Sequence, residues 1–447
     1  MSVSPPPSPH RIVIVGGGAG GLPLATALGD KLGDRKAGRA DITLIDRFET
    51  HLWKPLLHEV AAGRMDAHAH DVDYLALGFW HHFRFRQGSV TALDRARRTL
   101  TLGPVNDDDG NLMLPERVLP YDTLILCIGS TTNDFGVLGV AEHALSLDTA
   151  VDAERFHRRL LAACVRADDE AAQGKIAHVE IVIIGAGATG VELAAEIRQT
   201  TRAHIGYGLD KLDPAKDIRL TLLEAAPRIL PQLGERIAAA ATDLLADLDV
   251  SVRAGERVTA VDASGVHTAA GGVLPADLVV WAAGIQAPAV LASLDGLEVN
   301  RLHQLVVTET LQTRRDPNIF AFGDCAACPW PGPGKEGRLV PPRAQAAHQQ
   351  ATLLRRSIMA RLAGKPPLPF RFRDFGSLVS LGELSAIGNL MGALIGGSMF
   401  IQGLIARAMY ASLYKMHQLS IHGYVRVAFD TVGRFLRRRM EPRVKLH

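Results

Sequence analysis

Apolar runs that alternate with glycine-rich and polar stretches organise the start of the chain. The stretch RIVIV (11–15) predicts a buried strand of a parallel sheet, because such strands are covered on both faces. GGGAGG follows at 16–21, and LPLATALGDKLG (22–33) then predicts a helix that ends at glycine. DITLID (41–46) predicts the next strand. Together these elements predict a strand–helix–strand unit with a glycine turn inside it.

The same order of elements returns in the middle of the chain. Residues 179–199 (VEIVIIGAGATGVELAAEIRQ) predict a strand, a glycine turn and a helix, and RLTLLE (219–224) predicts the following strand. DLVVWAAGI (277–285) closes this second unit, and NIFAFGD (318–324) predicts a return to the first domain. One architectural unit is therefore used twice, and it is not a short-period repeat.

This pattern predicts an α/β fold with two Rossmann-like dinucleotide-binding domains, one of them split by the insertion of the other. A C-terminal region of different composition is predicted to form amphipathic helices that anchor the protein to a membrane. The predicted boundaries are 10–145 and 286–372 for the two parts of the split domain, 146–285 for the inserted domain and 373–447 for the C-terminal region.

The C-terminal region contains a long uncharged stretch. Residues 384–406 carry no charge and are numerous enough to span a bilayer, but their five glycines argue against a transmembrane helix. Two surface helices, over 398–421 and 424–439, fit this composition better. The second helix combines an apolar stripe with arginines, which is typical of a helix that lies in a membrane interface. The residues assigned to the membrane are Phe429, Val432, Phe435, Leu436, Arg437, Arg438 and Arg439. The alternative is a helix that packs on its own protein or on the partner of a homodimer.

The charge distribution limits the possible binding partners, and the cysteine content indicates the redox compartment. The net charge of +2 is too small to indicate nucleic acid. Residues 401–447 hold nine Lys/Arg and two Asp/Glu, whereas residues 1–400 hold 40 Lys/Arg and 45 Asp/Glu. A basic tail on a mildly acidic body favours an anionic lipid surface as partner. Four cysteines are too few for a secreted disulfide scaffold, so they fit a reducing compartment.

Both glycine turns carry the complete G-x-G-x-x-G spacing. The first is formed by Gly16, Gly18 and Gly21, and the second by Gly185, Gly187 and Gly190. In such a motif the first glycine permits a tight turn, the second lets backbone approach a pyrophosphate, and the third lets helix pack on strand. The helix N-terminus then favours the phosphate charge. Two complete copies predict two dinucleotide sites in one chain.

The residues that end the following strands assign the two nucleotides. Asp46 and Glu224 are predicted to accept hydrogen bonds from ribose hydroxyls. Both lie beyond the usual spacing, and the polar inserts 33–40 and 201–217 are predicted as loops that absorb the excess. The N-terminal copy is assigned to FAD, because the later Asp324 can reach a ribityl chain. The inserted copy then binds NADH rather than NADPH, because Glu224 would repel a 2′-phosphate; Arg228 is the one basic residue nearby.

Two helix starts carry further candidate residues. Glu192 lies just beyond the second glycine motif, where it either complements the helix dipole or contacts the nicotinamide or the electron acceptor. Residues 341–364 predict a helix with proline at its start and glycine at its end. Gln345, His348 and Gln349 share one face of its first turns, where they either meet a second substrate or are solvated.

The motif C-x-x-C at Cys325 and Cys328 can be a redox disulfide, half of a metal site or a pair of buried side chains. No second cysteine pair exists, so a four-cysteine zinc site is excluded. Because the motif directly follows Asp324, we predict that it packs the turn that presents this aspartate.

Several longer motifs resemble those of the type II NADH:quinone oxidoreductases, the single-chain respiratory NADH dehydrogenases that do not pump protons. The resemblance extends from Val13 to the C-terminus. The motifs that carry it are HLWKPLLHEVAAG (51–63), GAGATGVELAAE, WAAGI, FGDCAACPWP, VPPRAQAAHQQA and GSLVSLG. It implies FAD as a non-covalent prosthetic group, NADH as donor and a membrane quinone as acceptor. It also implies peripheral attachment to the cytoplasmic face of the inner membrane.

The resemblance also implies residue roles. Asp324 would hold the flavin ribityl chain, with Ala346 beside FAD and Gly284 beside NADH. Gln345, His348 and Gln349 would border flavin and quinone. Glu192 would lie near the nicotinamide and the quinone approach.

Three alternative functions remain open at the level of sequence. A flavin disulfide reductase, or a sulfide-oxidising quinone reductase, needs a cysteine pair beside the flavin, and residues 47–120 contain no cysteine. A redox-sensing binding protein would be reduced by NADH without rapid turnover.

Overall fold

The structure is a computed structural model of the chain, and it describes residues 9–33, 38–206, 208–332, 335, 337–381, 386–392 and 397–437. Side chains are described in these ranges except at 204–206, 389–399 and 434–437. The α-helices are α1 Gly21–Leu32, α2 Leu57–Ala61, α3 Tyr74–Trp80, α4 Val140–His143, α5 Ala150–Ala172, α6 Ala188–Gly206, α7 Glu235–Asp247, α8 Ala344–Leu362 and α9 Leu404–Arg437. Short 3₁₀ helices lie at Lys54–Leu56, Ala289–Ser293 and Gly323–Cys325.

The strands follow one another closely in both halves of the chain. Those of the first half are β1 His10–Val15, β2 Ala40–Asp46, β3 Thr50–His51, β4 Val72–Asp73, β5 Arg84–Gln87, β6 Val90–Asp94, β7 Thr99–Leu102, β8 Val105–Asn106, β9 Leu112–Leu114, β10 Arg117–Pro120, β11 Thr123–Leu126 and β12 Thr131–Thr132. Those of the second half are β13 Val179–Ile184, β14 Ile218–Glu224, β15 Val250–Ala254, β16 Val258–Asp262, β17 Gly265–Thr268, β18 Val273–Leu274, β19 Leu278–Trp281, β20 Ile285–Gln286, β21 Leu305–Val306, β22 Ile319–Ala321, β23 Ala326–Ala327, β24 Gly376–Ser380, β25 Ala386–Gly392 and β26 Gly397–Gln402.

The chain divides into two compact units. The first comprises Met1–Trp53, Asp71–Thr131 and Ile285–Arg373, and the second comprises Lys54–His70, Thr132–Gly284 and Asp374–His447. Each unit is built around one parallel sheet, which confirms the predicted pair of Rossmann-like folds. The predicted domain boundaries themselves stay a prediction.

The parallel sheet of the first unit has the strand order β22-β11-β1-β2-β5. The chain proceeds from β1 through β2 to β5 on one side, and β11 and β22 lie on the other. The strand order therefore reverses between β1 and β11, which is where open α/β sheets bind ligands. The apolar residues of β1 are buried from Ile12 to Val15, as expected for a strand with helices on both faces.

The parallel sheet of the second unit has the order β15-β14-β13-β19, with the reversal between β13 and β19. Val182, Val279 and Trp281 belong to its buried core. The predicted strands at 179–184 and 219–224 are confirmed to within a residue. The polar insert after the second glycine motif is not entirely a loop, because α6 continues through its first six residues to Gly206. Helical hydrogen bonds satisfy the backbone of these residues, and Thr201 at their start is buried.

The C-terminal region differs from its prediction at one end. The predicted helix over 398–421 is wrong in its first residues: β25 pairs with both β24 and β26 in an antiparallel sheet, and the helix begins only at Leu404. Inter-strand pairing satisfies the backbone of this glycine-rich stretch, for which helix propensity is low. None of the helices in the described part of the chain is long and apolar enough to cross a membrane.

Helix α9 is broken at Gly423, whose φ of 73° lies outside the helical region. Lys415 Nζ lies 3.7 Å from Asp430 Oδ2. Along a straight helix these two residues would be separated by about 22 Å, so the two halves of α9 turn sharply at the glycine. The prediction of two helices separated near residue 423 is therefore confirmed.

Candidate functional site

The first glycine turn joins β1 to α1 in the first unit. A Cβ at Gly16 would lie 2.3 Å from the Cys127 carbonyl oxygen, and one at Gly21 would lie 1.8 Å from the Gly16 carbonyl oxygen. A Cβ at Gly18 would meet no heavy atom within 4 Å. The first and third glycines are thus required by the fold, whereas the second leaves the backbone accessible in front of the helix N-terminus.

Asp46 ends β2 beside this turn. Its carboxylate accepts hydrogen bonds from Gly17 N at 2.6 Å and from Phe48 N at 3.0 Å. Burial raises the pKa of Asp46. The hydroxyl of Tyr74 donates to the Gly17 carbonyl oxygen at 2.9 Å from the other side. No sequence motif pointed to Tyr74, which lies in α3 and holds the turn through this hydrogen bond.

A second turn, at Gly323–Asp324, follows β22 in the same sheet. The Ser130 hydroxyl donates to Asp324 Oδ2 at 3.0 Å, and Gln304 Nε2 donates to the Asp324 carbonyl oxygen at 2.9 Å. The buried Gln350 of α8 accepts from Gly323 N at 2.9 Å. Gln350 was not predicted as a site residue. The double glutamine at 349–350 places one amide on each of two adjacent helix positions, and only the structure shows which amide holds the turn.

The start of α8 lies against both turns. A Cβ at Gly20 would be 3.1 Å from the Ala347 carbonyl oxygen, and one at Gly323 would be 3.7 Å from the Ala347 Cβ. Ala346, the predicted FAD contact, is buried. The predicted helix 341–364 begins after its two prolines, with Arg343 as N-cap residue.

The three polar residues predicted on α8 have different environments. Gln345 Oε1 is buried and has no hydrogen-bond partner in the described part of the chain. Burial lowers the pKa of His348, which favours a neutral ring. Gln349 forms two hydrogen bonds with the backbone of Arg373, donating at 2.8 Å and accepting at 3.0 Å. The amide of Gln349 therefore holds the chain after α8, and Gln345 is the residue with unused capacity for a ligand.

The second glycine turn repeats the geometry of the first inside the second unit. A Cβ at Gly185 would lie 2.6 Å from the Ala283 backbone, and one at Gly190 would lie 2.0 Å from the Gly185 carbonyl oxygen. A Cβ at Gly187 would meet no heavy atom within 4 Å. Gly284 follows β19 on the other side of the strand-order reversal. Its φ is +70°, and a Cβ there would lie 2.3 Å from the Phe135 ring.

Glu224 ends β14 as Asp46 ends β2. Its two carboxylate oxygens accept from Ala186 N at 2.8 Å and from Ala226 N at 2.9 Å. Arg228 Nη2 donates to the Pro231 carbonyl oxygen at 3.2 Å, and its Nη1 is buried with no hydrogen-bond partner among the described residues. The negative charge at the end of the strand is thus fixed by the backbone.

The same observation shows that each of the two turns can accommodate a dinucleotide. In each motif only the second glycine would carry its Cβ into open space, at the N-terminus of the following helix. This is the position at which backbone approaches a pyrophosphate. Gln345 Oε1, without a partner at the start of α8, adds an acceptor for a flavin ring in the first unit. The residues present therefore fit FAD in the first unit and a nicotinamide dinucleotide in the second.

Glu192 lies in α6 but is not a solvated first-turn acid, because its residue is only 7% exposed. Ser380 N donates to Glu192 Oε1 at 3.0 Å, and His58 Nδ1 lies 3.6 Å from Glu192 Oε2. The Tyr410 hydroxyl also donates to this carboxyl. Burial raises the pKa of Glu192 to about 8, so the carboxyl is protonated at neutral pH. A buried acid in that state can donate a hydrogen bond or a proton.

All four cysteines are buried and free. Burial raises the pKa of Cys325 and of Cys328 to about 12. Cys325 contacts the Phe322 carbonyl oxygen at 3.3 Å, and Cys328 receives a hydrogen bond from Gln350. Thiols in such surroundings are poor nucleophiles, so these contacts support the packing interpretation of C-x-x-C.

The second half of α9 presents apolar side chains to solvent. Val425, Phe429 and Val432 are each at least 60% exposed, whereas Val427 is buried. The predicted stripe therefore does not pack on the described part of this chain. The predicted residues Phe435, Leu436 and Arg437 lie outside the described side chains, and Arg438 and Arg439 lie outside the described residues.

Comparison with known proteins identifies the family of this chain. Residues 10–351 match the family model of pyridine nucleotide-disulphide oxidoreductases. A type II NADH:quinone oxidoreductase from Haemophilus influenzae is 42% identical over 98% of this chain and 100% of its own length. A second protein of that name, from Mycobacterium tuberculosis, is 31% identical over 85% of this chain and 79% of its own.

Solved structures agree on the fold. The structure of NDH2 from Plasmodium falciparum in complex with NADH has a TM-score of 0.80 at 18% identity and covers 98% of this chain and 100% of that chain. The sulfide:quinone oxidoreductase of Aquifex aeolicus has a TM-score of 0.70 at 19% identity and covers 94% of each chain.

Proposed function

Because the chain belongs to the pyridine nucleotide-disulphide oxidoreductase family, and within it to the type II NADH:quinone oxidoreductases, we propose the following function. The protein is a flavoenzyme that oxidises NADH and reduces a quinone through FAD, without pumping protons. The observation that carries this function is the pair of glycine turns, each open only at its second glycine. One turn lies in each unit, as separate sites for FAD and NADH require.

The net reaction is NADH + H⁺ + quinone → NAD⁺ + quinol. FAD, when bound, would supply the two-electron redox chemistry that couples NADH oxidation to quinone reduction. In the first unit, Asp46 and the turn at Gly16–Gly21 would hold the adenosine and pyrophosphate. Asp324, oriented by Ser130, would hold the ribityl chain.

In the second unit, Gly187 and Gly284 would border NADH, and Glu224 would accept from its adenosine ribose. A 2′-phosphate at that position would meet a carboxylate already fixed by two backbone N–H groups. Moving such a carboxylate away would break both hydrogen bonds, so the site favours NADH over NADPH.

The acceptor side requires a proton as well as electrons. We assign this role to Glu192, and the proton that its carboxyl retains at neutral pH supports the assignment. Gln345 and the neutral His348 would contribute hydrogen bonds near the flavin and the quinone. Gln349 acts in this arrangement through the backbone of Arg373.

The function is tested with purified FAD-loaded protein, NADH or NADPH, and a short-chain soluble quinone. We expect rapid turnover with NADH and a kcat/KM for NADPH at least about tenfold lower, which corresponds to about 1.4 kcal/mol. Flavin that NADH reduces but quinone does not reoxidise would instead support a redox-sensing protein. Equal use of both nucleotides would contradict the role given to Glu224.

Membrane attachment is proposed to occur through the outward face of α9. Phe429 and Val432 lie on that face and are 77% and 60% exposed, and the surrounding tail carries an excess of positive charge. Apolar side chains flanked by arginines bind anionic lipid interfaces. We place this contact on the cytoplasmic face of the inner membrane. Homodimerisation through the same face is the competing arrangement.

The attachment is tested by sedimentation with lipid vesicles. Phe429→Ser combined with Val432→Ser should reduce binding to vesicles containing phosphatidylglycerol by at least about tenfold, because about 3 kcal/mol of apolar burial is lost. Ile176→Ser, at a 96% exposed apolar residue elsewhere, is the matched control. If the double variant sediments like the wild type but changes from dimer to monomer in light scattering, the face is a dimer interface.

A further inference from the structure

A cluster of ionisable side chains lies inside the second unit around Glu192. Helix α6 contributes Glu192 and, one turn later on the same face, Glu196. Strand β24 contributes the backbone N–H of Ser380, and α9 contributes the hydroxyl of Tyr410. In the part of the chain that the structure describes, the titratable and charged groups around Glu192 are His58, Glu59, Arg64, Glu196 and Tyr410.

The positively charged side chain of this cluster, Arg64, forms an ion pair with Glu196. Arg64 Nη1 lies 3.1 Å from both carboxylate oxygens of Glu196, which is almost fully buried. His58 is neutral, because burial lowers its pKa to about 4. Among the described residues, the hydrogen-bond donors to Glu192 are the uncharged groups of Ser380 and Tyr410. Such a carboxyl stays protonated unless those donors stabilise its ionised form.

Tyr410 is the donor that reaches Glu192 from the C-terminal helix. Its neighbours along the same helix face, Ala406 and His417, are buried, whereas Leu404, Ile405 and Met416 on other faces are at least 61% exposed. The helix proposed to lie on the membrane thus carries, on its inner face, a direct hydrogen bond to the acid of the acceptor side. A donor to the ionised carboxyl lowers the pKa of Glu192, and loss of that donor raises it.

We propose that Tyr410 is a positioning residue for Glu192, which holds the carboxyl in place and sets the pH range over which it retains its proton. In this arrangement the C-terminal helix completes the acceptor side in addition to binding lipid. The proposal deepens the proposed function and rests on the role given there to Glu192.

The test compares Tyr410→Phe with Tyr424→Phe, the same substitution at an 82% exposed position of the same helix. The pH dependence of kcat is measured with NADH and a short-chain soluble quinone. Wild-type turnover should decline on the alkaline side as Glu192 loses its proton, and Glu192→Gln should lack this decline. Tyr410→Phe should move the decline up by about one pH unit, because it removes one hydrogen bond to a charged group. Tyr424→Phe should leave it unchanged.

Two further measurements separate the hydrogen bond from packing. Tyr410→Gln retains an N–H donor and should return the decline toward the wild-type pH. Reduction of the bound flavin by NADH alone, followed anaerobically by absorbance, should proceed at the wild-type rate in Tyr410→Phe, Tyr410→Gln and Tyr424→Phe.

The outcomes distinguish the two levels of the proposal. If Glu192→Gln abolishes the decline but Tyr410→Phe leaves it in place, the role of Tyr410 is refuted and the enzyme function stands. If the alkaline decline in turnover moves by the same amount in Tyr410→Phe and Tyr410→Gln, the effect arises from packing and the proposal is overturned. Absence of quinone turnover in the wild type would refute the proposed function itself.

Discussion

Replacing Glu192 by glutamine isolates the free energy associated with burying this carboxyl. Glutamine has nearly the shape of the protonated acid and carries no charge at any pH. Burial raises the pKa of Glu192 from 4.5 to about 8, the largest cause being loss of solvation. The folded wild type therefore binds this proton far more tightly than the unfolded chain does.

The sign and size of the effect follow from proton linkage. Between the unfolded pKa of 4.5 and the folded pKa of about 8, the folded state binds more protons, so the free energy of unfolding falls as pH rises. One pKa unit corresponds to about 1.4 kcal/mol. Relative to acidic solution, the wild type loses about 3 kcal/mol by neutral pH and about 5 kcal/mol once the folded carboxyl has also ionised. Glu192→Gln lacks this loss.

The assay is thermal unfolding of FAD-loaded wild type and Glu192→Gln between about pH 5 and pH 9. The melting temperature of the variant should rise progressively above that of the wild type, and the difference should level off above about pH 8. Glu170→Gln, at an exposed glutamate of α5, is the control and should show no such trend. A constant difference between Glu192→Gln and wild type across this range would refute the assignment of a buried, protonated carboxyl.

Three further predictions concern the turns. Gly187→Ala should weaken NADH binding at least about tenfold, or about 1.4 kcal/mol, at an unchanged melting temperature, because its Cβ enters only open space; Gly190→Ala should instead lower the melting temperature, and the reverse pattern would contradict the division of roles. Replacing Cys325 and Cys328 together by alanine should leave quinone reductase turnover near wild type, and loss of turnover with FAD still bound would restore a redox role. Gln350→Leu should lower FAD retention after dialysis, measured by absorbance, since it leaves the Gly323 N–H without its acceptor.

Local signals were sufficient wherever a short stretch determines its own conformation. The strands at 41–46 and 179–184, and the glycine turns beside them, follow from continuous apolar runs and from residues that alone tolerate positive φ or close backbone approach. Two complete motifs in one chain also determined that two nucleotides bind. The resemblance to type II NADH:quinone oxidoreductases agrees with the 42% identical relative.

Local signals failed where contacts with residues distant in the sequence determine the secondary structure or the hydrogen-bond partner. Residues 397–402 are compatible with helix or strand by their own composition, and pairing with β25 decided for the strand. Gln349 and Gln350 look equivalent in the sequence. Their backbone partners, Arg373 and Gly323, lie on segments that only the folded unit brings beside α8.

The sequence by itself determined the two-fold use of the Rossmann unit, the choice of nucleotides and the amphipathic C-terminal helix, since each depends on spacing within one segment. The protonation state of Glu192 was decided only by the tertiary structure. A glutamate near a helix start is by its position a solvated acid that complements the helix dipole. It becomes a neutral, proton-holding group because α2, β24 and α9 remove it from water and offer uncharged contacts in place of a cation. Desolvation is a sum over all neighbours in space, and no spacing along the chain records that sum.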